Sequence, residues 1–156
     1  MSARAAAAGR ERAHRADRDV LRVASAVVAI AGLAIAAYLT VVRYGGGAPV
    51  CAVSHGCATV QQSEYAELAG VPVALLGLAG YAAILVSLAR DGEAARTATA
   101  FLALSGFGFS AWLTYVEVAR LNAICSWCVG SAICMTLLAA LSVARMLGAP
   151  SPGRRD

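Results

Sequence analysis

The sequence predicts an all-α membrane protein, folded as a four-transmembrane-helix bundle. Sixty per cent of the 156 residues are hydrophobic and 14% are charged, far from the balance of a soluble globular domain. Four stretches of sixteen to twenty residues also lack any charged side chain, and such lengths approach or reach what a helix needs to cross a bilayer. These stretches are 23–42, 71–89, 97–116 and 129–144.

The segment before the first stretch is Ala-rich and carries six Arg residues, which predicts a solvated or fraying tail that can become helical near the membrane. A basic start before an apolar run also occurs in secretory signal peptides, but residues 23–42 are longer than a typical signal core. We therefore expect a retained first helix. The predicted organisation is an Arg-rich tail at 1–19, a membrane domain at 20–147 and a second tail at 148–156.

The longest polar loop, 43–70, separates the first two predicted spans. Glycines 45–47 and Pro49 interrupt helix there, and Cys51, His55 and Cys57 follow. Between residues 58 and 68, apolar and polar side chains recur with helical spacing, which predicts one short amphipathic helix on the membrane surface. His55 is interpreted as a solvated loop residue, with a proton carrier as the alternative.

The placement of arginine predicts the orientation in the membrane. All thirteen basic residues are Arg. Six lie in the amino-terminal tail, two in the 90–96 turn and three at the carboxyl end, against only Arg43 and Arg120 on the other side. Because positive residues concentrate in cytoplasmic segments, both termini are predicted to be cytoplasmic in the cell membrane. The cysteines at 51, 57, 125 and 128 then face an oxidising compartment, where thiols form disulfides.

Cys125-Ser126-Trp127-Cys128 stands directly before the fourth stretch. Two cysteines three apart share one side of a helical turn and can form a disulfide. The N–H groups and dipole at a helix start stabilise a thiolate, and we expect Cys128 to benefit. Trp127 is interpreted either as part of an interfacial aromatic belt or as a contact for a flat ring.

Two further residues receive an interpretation from their position. Glu117 is an ionisable residue near the membrane boundary, which leaves a functional role and simple snorkelling equally open. Cys134 lies deeper in the fourth stretch and away from the face of Cys128, so we interpret it as a small apolar packing residue.

Two cysteine pairs on the same side suggest an electron relay. A reduced loop pair would attack the Cys125–Cys128 disulfide and pass on two electrons, and the apolar bundle beside it is suited to a lipid-soluble quinone as acceptor. Two alternatives remain open. Four outward cysteines can form a Cys₄ zinc site, which the spacing fits poorly. They can also form inert disulfides in a non-catalytic membrane scaffold or assembly factor.

Several motifs together carry a resemblance that covers Val20 to about Leu147. They are Cys51-x5-Cys57 followed by 58–65 (ATVQQSEY), then 70–73 (GVPV), 76–81 (LGLAGY), and 124–128 (ICSWC) with Ser131 one turn later. The chain thereby resembles the bacterial homologues of the vitamin K epoxide reductase family. In the disulfide bond formation protein B family, by contrast, the Cys-x-x-Cys lies in the first outer loop.

The resemblance implies a four-helix bundle around a quinone, capped from outside by residues 58–70. It implies that Cys51 of the loop pair exchanges with Cys125, that Cys128 faces the quinone, and that Ser63 belongs to the site. The expected cofactor-binding residues are Ser63, Cys128, Ser131 and Trp127. The expected acceptor is either menaquinone or ubiquinone.

Two departures from the family refine the expectation. Some members carry a fused thioredoxin-like domain, whereas this chain stops at Asp156, so we expect a separate DsbA-like thioredoxin-fold protein as partner. The animal enzymes have a quinone-contacting tyrosine where this chain has Ala132. The expected function is therefore quinone-dependent thiol oxidation that sustains disulfide bond formation in secreted proteins, rather than epoxide reduction.

Overall fold

The computed structural model describes residues 2–47, 49–51 and 56–147, and helices dominate it. Four long helices make up the body, and short elements connect them at one end. In chain order the elements are α1 (Ser2–Tyr44), α2 (Cys57–Gln61), a 3₁₀ helix (Glu64–Ala66), β1 (Glu67–Leu68), β2 (Val71–Pro72), α3 (Val73–Ala89), α4 (Glu93–Val116), a π-helical turn (Glu117–Leu121) and α5 (Ser126–Leu147).

The four long helices pack as a closed ring in which α1 contacts α3, α3 contacts α4, α4 contacts α5, and α5 returns to α1. The side chains of Tyr81, Ile84 and Leu138 are fully buried at its centre. Small residues permit this packing, because a Cβ at Gly32 would lie 2.2 Å from the Tyr81 ring. Gly106 plays the same part between α4 and α5, where a Cβ would lie 2.8 Å from Met135 Sδ.

The outer surface of the ring is apolar, as expected of helices that face lipid. Large hydrophobic side chains such as Phe101, Ile133 and Leu137 are exposed on it. Three of the described helical segments are long and apolar enough to cross a membrane: 15–44, 93–121 and 126–147. With 17 residues, α3 is a shorter apolar helix of about 26 Å. The chain is an all-α, multi-pass membrane protein.

The amino-terminal segment, for which the sequence predicts a solvated tail, is helical in the structure. Helix α1 runs from Ser2 to Tyr44 without a break, so residue 20 marks no change in backbone structure. The first residues of α1 are mostly Ala and Arg, which have high helix propensity. They extend the membrane helix as a continuous polar helix.

The loop between α1 and α3 differs from the prediction of a single amphipathic helix over 58–68. Helix α2 ends at Gln61, and Ser63 then takes an extended conformation with ψ 158°. The Ser63 hydroxyl donates to the Val60 carbonyl at 2.7 Å, a local bond of the kind that competes with helix continuation. The 3₁₀ helix and a two-stranded hairpin complete the segment, which we call the cap (57–72).

Two features hold the cap in place. Its hairpin pairs Glu67 with Pro72 and turns through Ala69 and Gly70, whose φ values of 53° and 80° are left-handed. Arg43, at the end of α1, donates to the Gln61 carbonyl at 3.1 Å and forms an ion pair with the Glu67 carboxylate. A single arginine therefore links α1 to both halves of the cap.

Candidate functional site

The connector between α4 and α5 brings the Cys-x-x-Cys to the end of the bundle that the cap covers. Asn122 follows the π-helical turn, and its left-handed φ of 46° reverses the chain. Asn tolerates this conformation better than most residues. The Ala123 N–H donates to the Glu117 carbonyl at 3.2 Å. The Cys125 N–H donates to a carboxylate oxygen of the same Glu117 at 3.0 Å, which closes the connector.

Cys125 occupies the N-cap position of α5. Its carbonyl accepts the Val129 N–H at 3.0 Å, and its Sγ accepts the Cys128 N–H at 3.4 Å. Hydrogen bonding from the Cys128 thiol, aided by backbone N–H groups, lowers the pKa of Cys125 to about 7 although the side chain is fully buried. The helix start therefore favours a thiolate at Cys125, whereas the sequence had led us to expect that benefit at Cys128.

The two cysteine pairs meet at this point. Cys51 and Cys57 form a disulfide with a Cα–Cα distance of 6.0 Å, while Cys125 and Cys128 are reduced. Cys57 is 1% exposed and, with Val60 and Cys125, forms the buried cysteine cluster. Cys51 and Cys128 are half-buried and pack against that cluster. One oxidised and one reduced pair thus share a single packed region.

A glycine makes the approach of the two pairs close. A Cβ at Gly56 would lie 2.7 Å from both the backbone nitrogen and the backbone oxygen of Ile124. These are main-chain atoms, so they cannot move aside as a flexible side chain would. Gly56 precedes Cys57 and Ile124 precedes Cys125, so any side chain at residue 56 pushes one pair away from the other.

We expect Gly56→Ala to slow electron transfer between the pairs on the order of a hundred-fold, because a misplacement near 1 Å has that effect on reacting groups. Stopped-flow measurement of thiol–disulfide exchange between the pairs checks this. Gly80→Ala is the matched control, since a Cβ there meets nothing within 4 Å. Equal exchange rates in the two variants would contradict the proposed role of Gly56.

Trp127 contacts the segment that carries the loop pair. Its indole N–H donates to the Val50 carbonyl at 2.9 Å, and its ring packs on Tyr38 at 4.7 Å between centroids. The Val50 N–H in turn donates to the Tyr38 hydroxyl at 3.0 Å. Both backbone groups of Val50, the neighbour of Cys51, are therefore fixed. Trp127 is not among the described residues that line the adjacent cavity.

A cavity of about 150 Å³ lies under the cap, inside the ring of helices. Of the four cysteines in the two pairs, Cys128 is the one that lines it. The Gln61 side-chain N–H group donates to Cys128 Sγ at 3.7 Å. Most of the lining is apolar, with contributions from α1, the cap, α3, α4 and α5, among them Ile35, Leu39, Val60, Val73, Phe109, Leu113 and Met135.

The expected serines both line the cavity. Ser63 lies at the start of the 3₁₀ helix, and Ser131 lies one turn after Cys128. The Ser131 hydroxyl is 3.0 Å from the hydroxyl of Tyr81, which also donates to the Ser131 carbonyl at 2.9 Å. Cys134 does not line this cavity; it packs against the central core. His55 lies outside the described residues.

Sequence reasoning missed three of these residues or left them open. Gln61 follows Cys57 by four positions, one helical turn, which is the signal that would have placed it beside the cysteines. Tyr81 ends the 76–81 motif, but no feature of the sequence assigned it to the site. Glu117 is only 4% exposed, so the snorkelling interpretation is wrong.

The site therefore combines an exchangeable disulfide, a reduced pair with one low-pKa thiol, and an apolar cavity that begins at the second thiol. This arrangement is suited to moving electrons from thiols to a small apolar acceptor. The sequence model described as the vitamin K epoxide reductase family matches residues 23–143. The match extends from the apolar part of α1 to the last turns of α5 and includes all four cysteines of the site.

Proposed function

This chain belongs to the vitamin K epoxide reductase family, and we propose that it is a quinone-dependent thiol-disulfide oxidoreductase. Membership of this family supports the function of a membrane thiol oxidoreductase. In our proposal it oxidises an extracytoplasmic thioredoxin-fold protein and thereby sustains disulfide bond formation in secreted proteins. Electrons pass from the partner to Cys51–Cys57, then to Cys125–Cys128, and finally to a lipid quinone.

One observation carries the proposal: an oxidised and a reduced cysteine pair share a packed region whose last sulfur borders an apolar cavity. A partner dithiol reduces the Cys51–Cys57 bond and becomes a disulfide itself. A loop thiolate then attacks Cys125 Sγ, the Cys125–Cys128 bond breaks, and Cys128 leaves as the thiolate. The second loop thiol displaces Cys125, which restores the loop disulfide and leaves the helix pair reduced.

Each cysteine has a role in this relay. Cys125 is the exchanging member, because its pKa of about 7 makes it a good leaving group and its sulfur lies in the buried cysteine cluster. Cys128 borders the cavity and delivers electrons there. Cys51 is assigned as the loop cysteine that reaches Cys125, in keeping with the family pattern, and its neighbour Val50 is clamped against Trp127.

The cavity has a lining that fits a quinone head group. Most of the side chains around it are apolar, and the polar side chains that line it besides Cys128 are Gln61, Ser63, Tyr65, Ser110, Thr114, Glu117 and Ser131. Hydroxyl and amide groups such as these can hydrogen-bond the two oxygens of the head group. When bound, a quinone supplies a two-electron acceptor for the Cys125–Cys128 dithiol.

The residue at position 132 bears on whether the chain oxidises thiols or reduces an epoxide. Ala132 lines the cavity and carries no hydroxyl, where the animal enzymes have a tyrosine. We therefore propose thiol oxidation and not epoxide reduction. Thiol oxidation also defines the kind of partner, because a dithiol on a folded domain has to reach Cys51. Val50, the neighbour of Cys51, is 75% exposed and offers that domain an apolar contact.

The experiment that tests the proposal measures oxidation of a reduced thioredoxin-fold protein by the purified chain in detergent, with and without added menaquinone or ubiquinone. We expect oxidation that depends on quinone and is lost when any of the four site cysteines is replaced. A chain that binds quinone but never oxidises the partner would instead fit the alternative, a membrane scaffold with structural disulfides.

The proposed orientation has cytoplasmic termini and an extracytoplasmic cap. We expect a membrane-impermeant maleimide to label Cys51 on reduced intact cells, ahead of Cys57, which is buried. The control is Ala94→Cys at the exposed start of α4, at the other end of the bundle, which should be labelled only after permeabilisation. The reverse pattern, with Ala94→Cys labelled first, would overturn the orientation.

A further inference from the structure

The relay described above leaves one buried ionisable group without a task. Glu117 follows the last residue of α4, and its side chain is 4% exposed. It lines the cavity under the cap together with Cys128. A buried carboxylate is costly unless hydrogen bonds satisfy it, and Glu117 has such partners at the site itself.

Glu117 lies against both members of the helix pair. One carboxylate oxygen accepts the Cys125 N–H at 3.0 Å. Glu117 and Cys128 also line the same cavity. The carboxylate therefore contacts the backbone of one reacting cysteine and shares the cavity with the other. No other carboxylate lines the cavity among the described residues.

We propose that Glu117 is the proton acceptor of the Cys125/Cys128 dithiol, which receives the thiol proton of Cys128 and passes it into the cavity. The inference rests on the proposed function. It assigns a proton-transfer role to the carboxylate that shares the cavity with the Cys128 thiol, and a positioning role to the same carboxylate through the Cys125 backbone.

Formation of the Cys125–Cys128 bond removes two electrons and two protons from the two thiols, and an acceptor of the quinone class gains the same number. The S–H bond of Cys128 breaks, its electron pair stays on sulfur, and an O–H bond forms at the Glu117 carboxylate. That proton then leaves for an acceptor oxygen. The proton of Cys125, a thiol with a pKa of about 7, exchanges with water, which supplies the second proton.

The titratable groups around Glu117 are the ones that could also make the reaction depend on pH. Among the described residues that line the cavity, the other titratable groups are Cys128 on α5 and Tyr65 in the cap. The lining residues of α1 and α3 are apolar side chains and a glycine. Arg120 lies on the same π-helical turn but is exposed. Cys125 is the remaining group, and its pKa responds to the Glu117 charge.

The first readout needs no quinone. In the Cys51→Ser/Cys57→Ser/Cys134→Ala background, reduced and freed of reductant, the ultraviolet absorbance of thiolate titrates Cys125 and Cys128 alone. The Cys128 thiol lowers the pKa of Cys125 most, and the Glu117 charge opposes it by raising that pKa. Glu117→Gln should therefore shift the first thiolate midpoint to a pH below about 7. A carboxylate that acts only as a brace through an uncharged bond would leave the midpoint where it was.

The second readout is a single turnover in the same background. The reduced protein is mixed with menadione, and the loss of the two thiols is followed by rapid quenching and alkylation. Glu117→Gln should slow the reaction by roughly a hundred-fold at neutral pH, the lower end of what a proton-transfer group contributes. The glutamine oxygen can still accept the Cys125 N–H, so the backbone contact is kept. The reaction would then be slower although the Cys125 thiol is more acidic. Glu93→Gln, at the exposed start of α4, is the matched control and should behave like its parent.

Both changes together support the inference. A Glu117→Gln variant that reacts as fast as its parent overturns it, and so does a slow variant whose thiolate midpoint has not moved. Failure of the Glu117-intact parent to react with menadione or a ubiquinone analogue would instead defeat the proposed function. Circular dichroism of each variant separates these outcomes from loss of the fold.

Discussion

Cys128→Ala should abolish quinone reduction while the fold remains intact. Of the four site cysteines, Cys128 is the one that borders the cavity, and without it the helix pair cannot form its disulfide. The side chain is half-buried and the change is small, so the free energy of unfolding should fall by no more than about 1 kcal/mol. Steady-state quinone reduction with a reduced partner, beside a thermal melt, measures both quantities.

Cys134→Ala is the matched control for that variant. Cys134 lies on the same helix with the same side chain, but it packs against the central core and does not line the cavity. Its replacement should leave turnover close to that of the unmodified chain. Continued quinone reduction by Cys128→Ala, or its loss in Cys134→Ala, would show that the wrong thiol has been assigned.

Cys57→Ser should accumulate a mixed disulfide between Cys51 and Cys125. Thiol–disulfide exchange passes through such a species, and the serine removes the thiol that would resolve it. Cys51 packs against the buried cysteine cluster that contains Cys125, so the bond forms within an existing contact region. Non-reducing peptide mapping of the purified variant identifies the pair, which should be the dominant oxidised form.

Cys51→Ser is the reciprocal variant, and it tests which loop cysteine reaches Cys125. Cys57 is itself part of the buried cysteine cluster, so the geometry leaves it within the same region. A Cys57–Cys125 bond in Cys51→Ser, with no Cys51–Cys125 species in Cys57→Ser, would reverse the assignment. The relay through Cys125 would survive that reversal.

The membrane helices were predictable because their signal is local. A charge-free stretch such as 97–116 predicts a span from composition alone, and the structure places α4 over it with one extra turn at Glu93. The same holds for α5 after Cys125. The prediction of one helix over 58–68 failed because of a local contact. The Ser63 hydroxyl bonds the Val60 carbonyl where the spacing of apolar residues would have continued the helix.

By itself, the sequence determined that the chain is a helical membrane protein, and it predicted that two cysteine pairs carry its chemistry. Both follow from residue type and spacing along the chain. Only the tertiary structure decided which thiol is the acidic one, because that depends on where the Cys128 N–H and thiol point. It also decided that Glu117 is buried beside both cysteines and that Gly56 must lack a side chain. These are contacts between residues distant in sequence or across a chain reversal, and no periodicity along the chain records them.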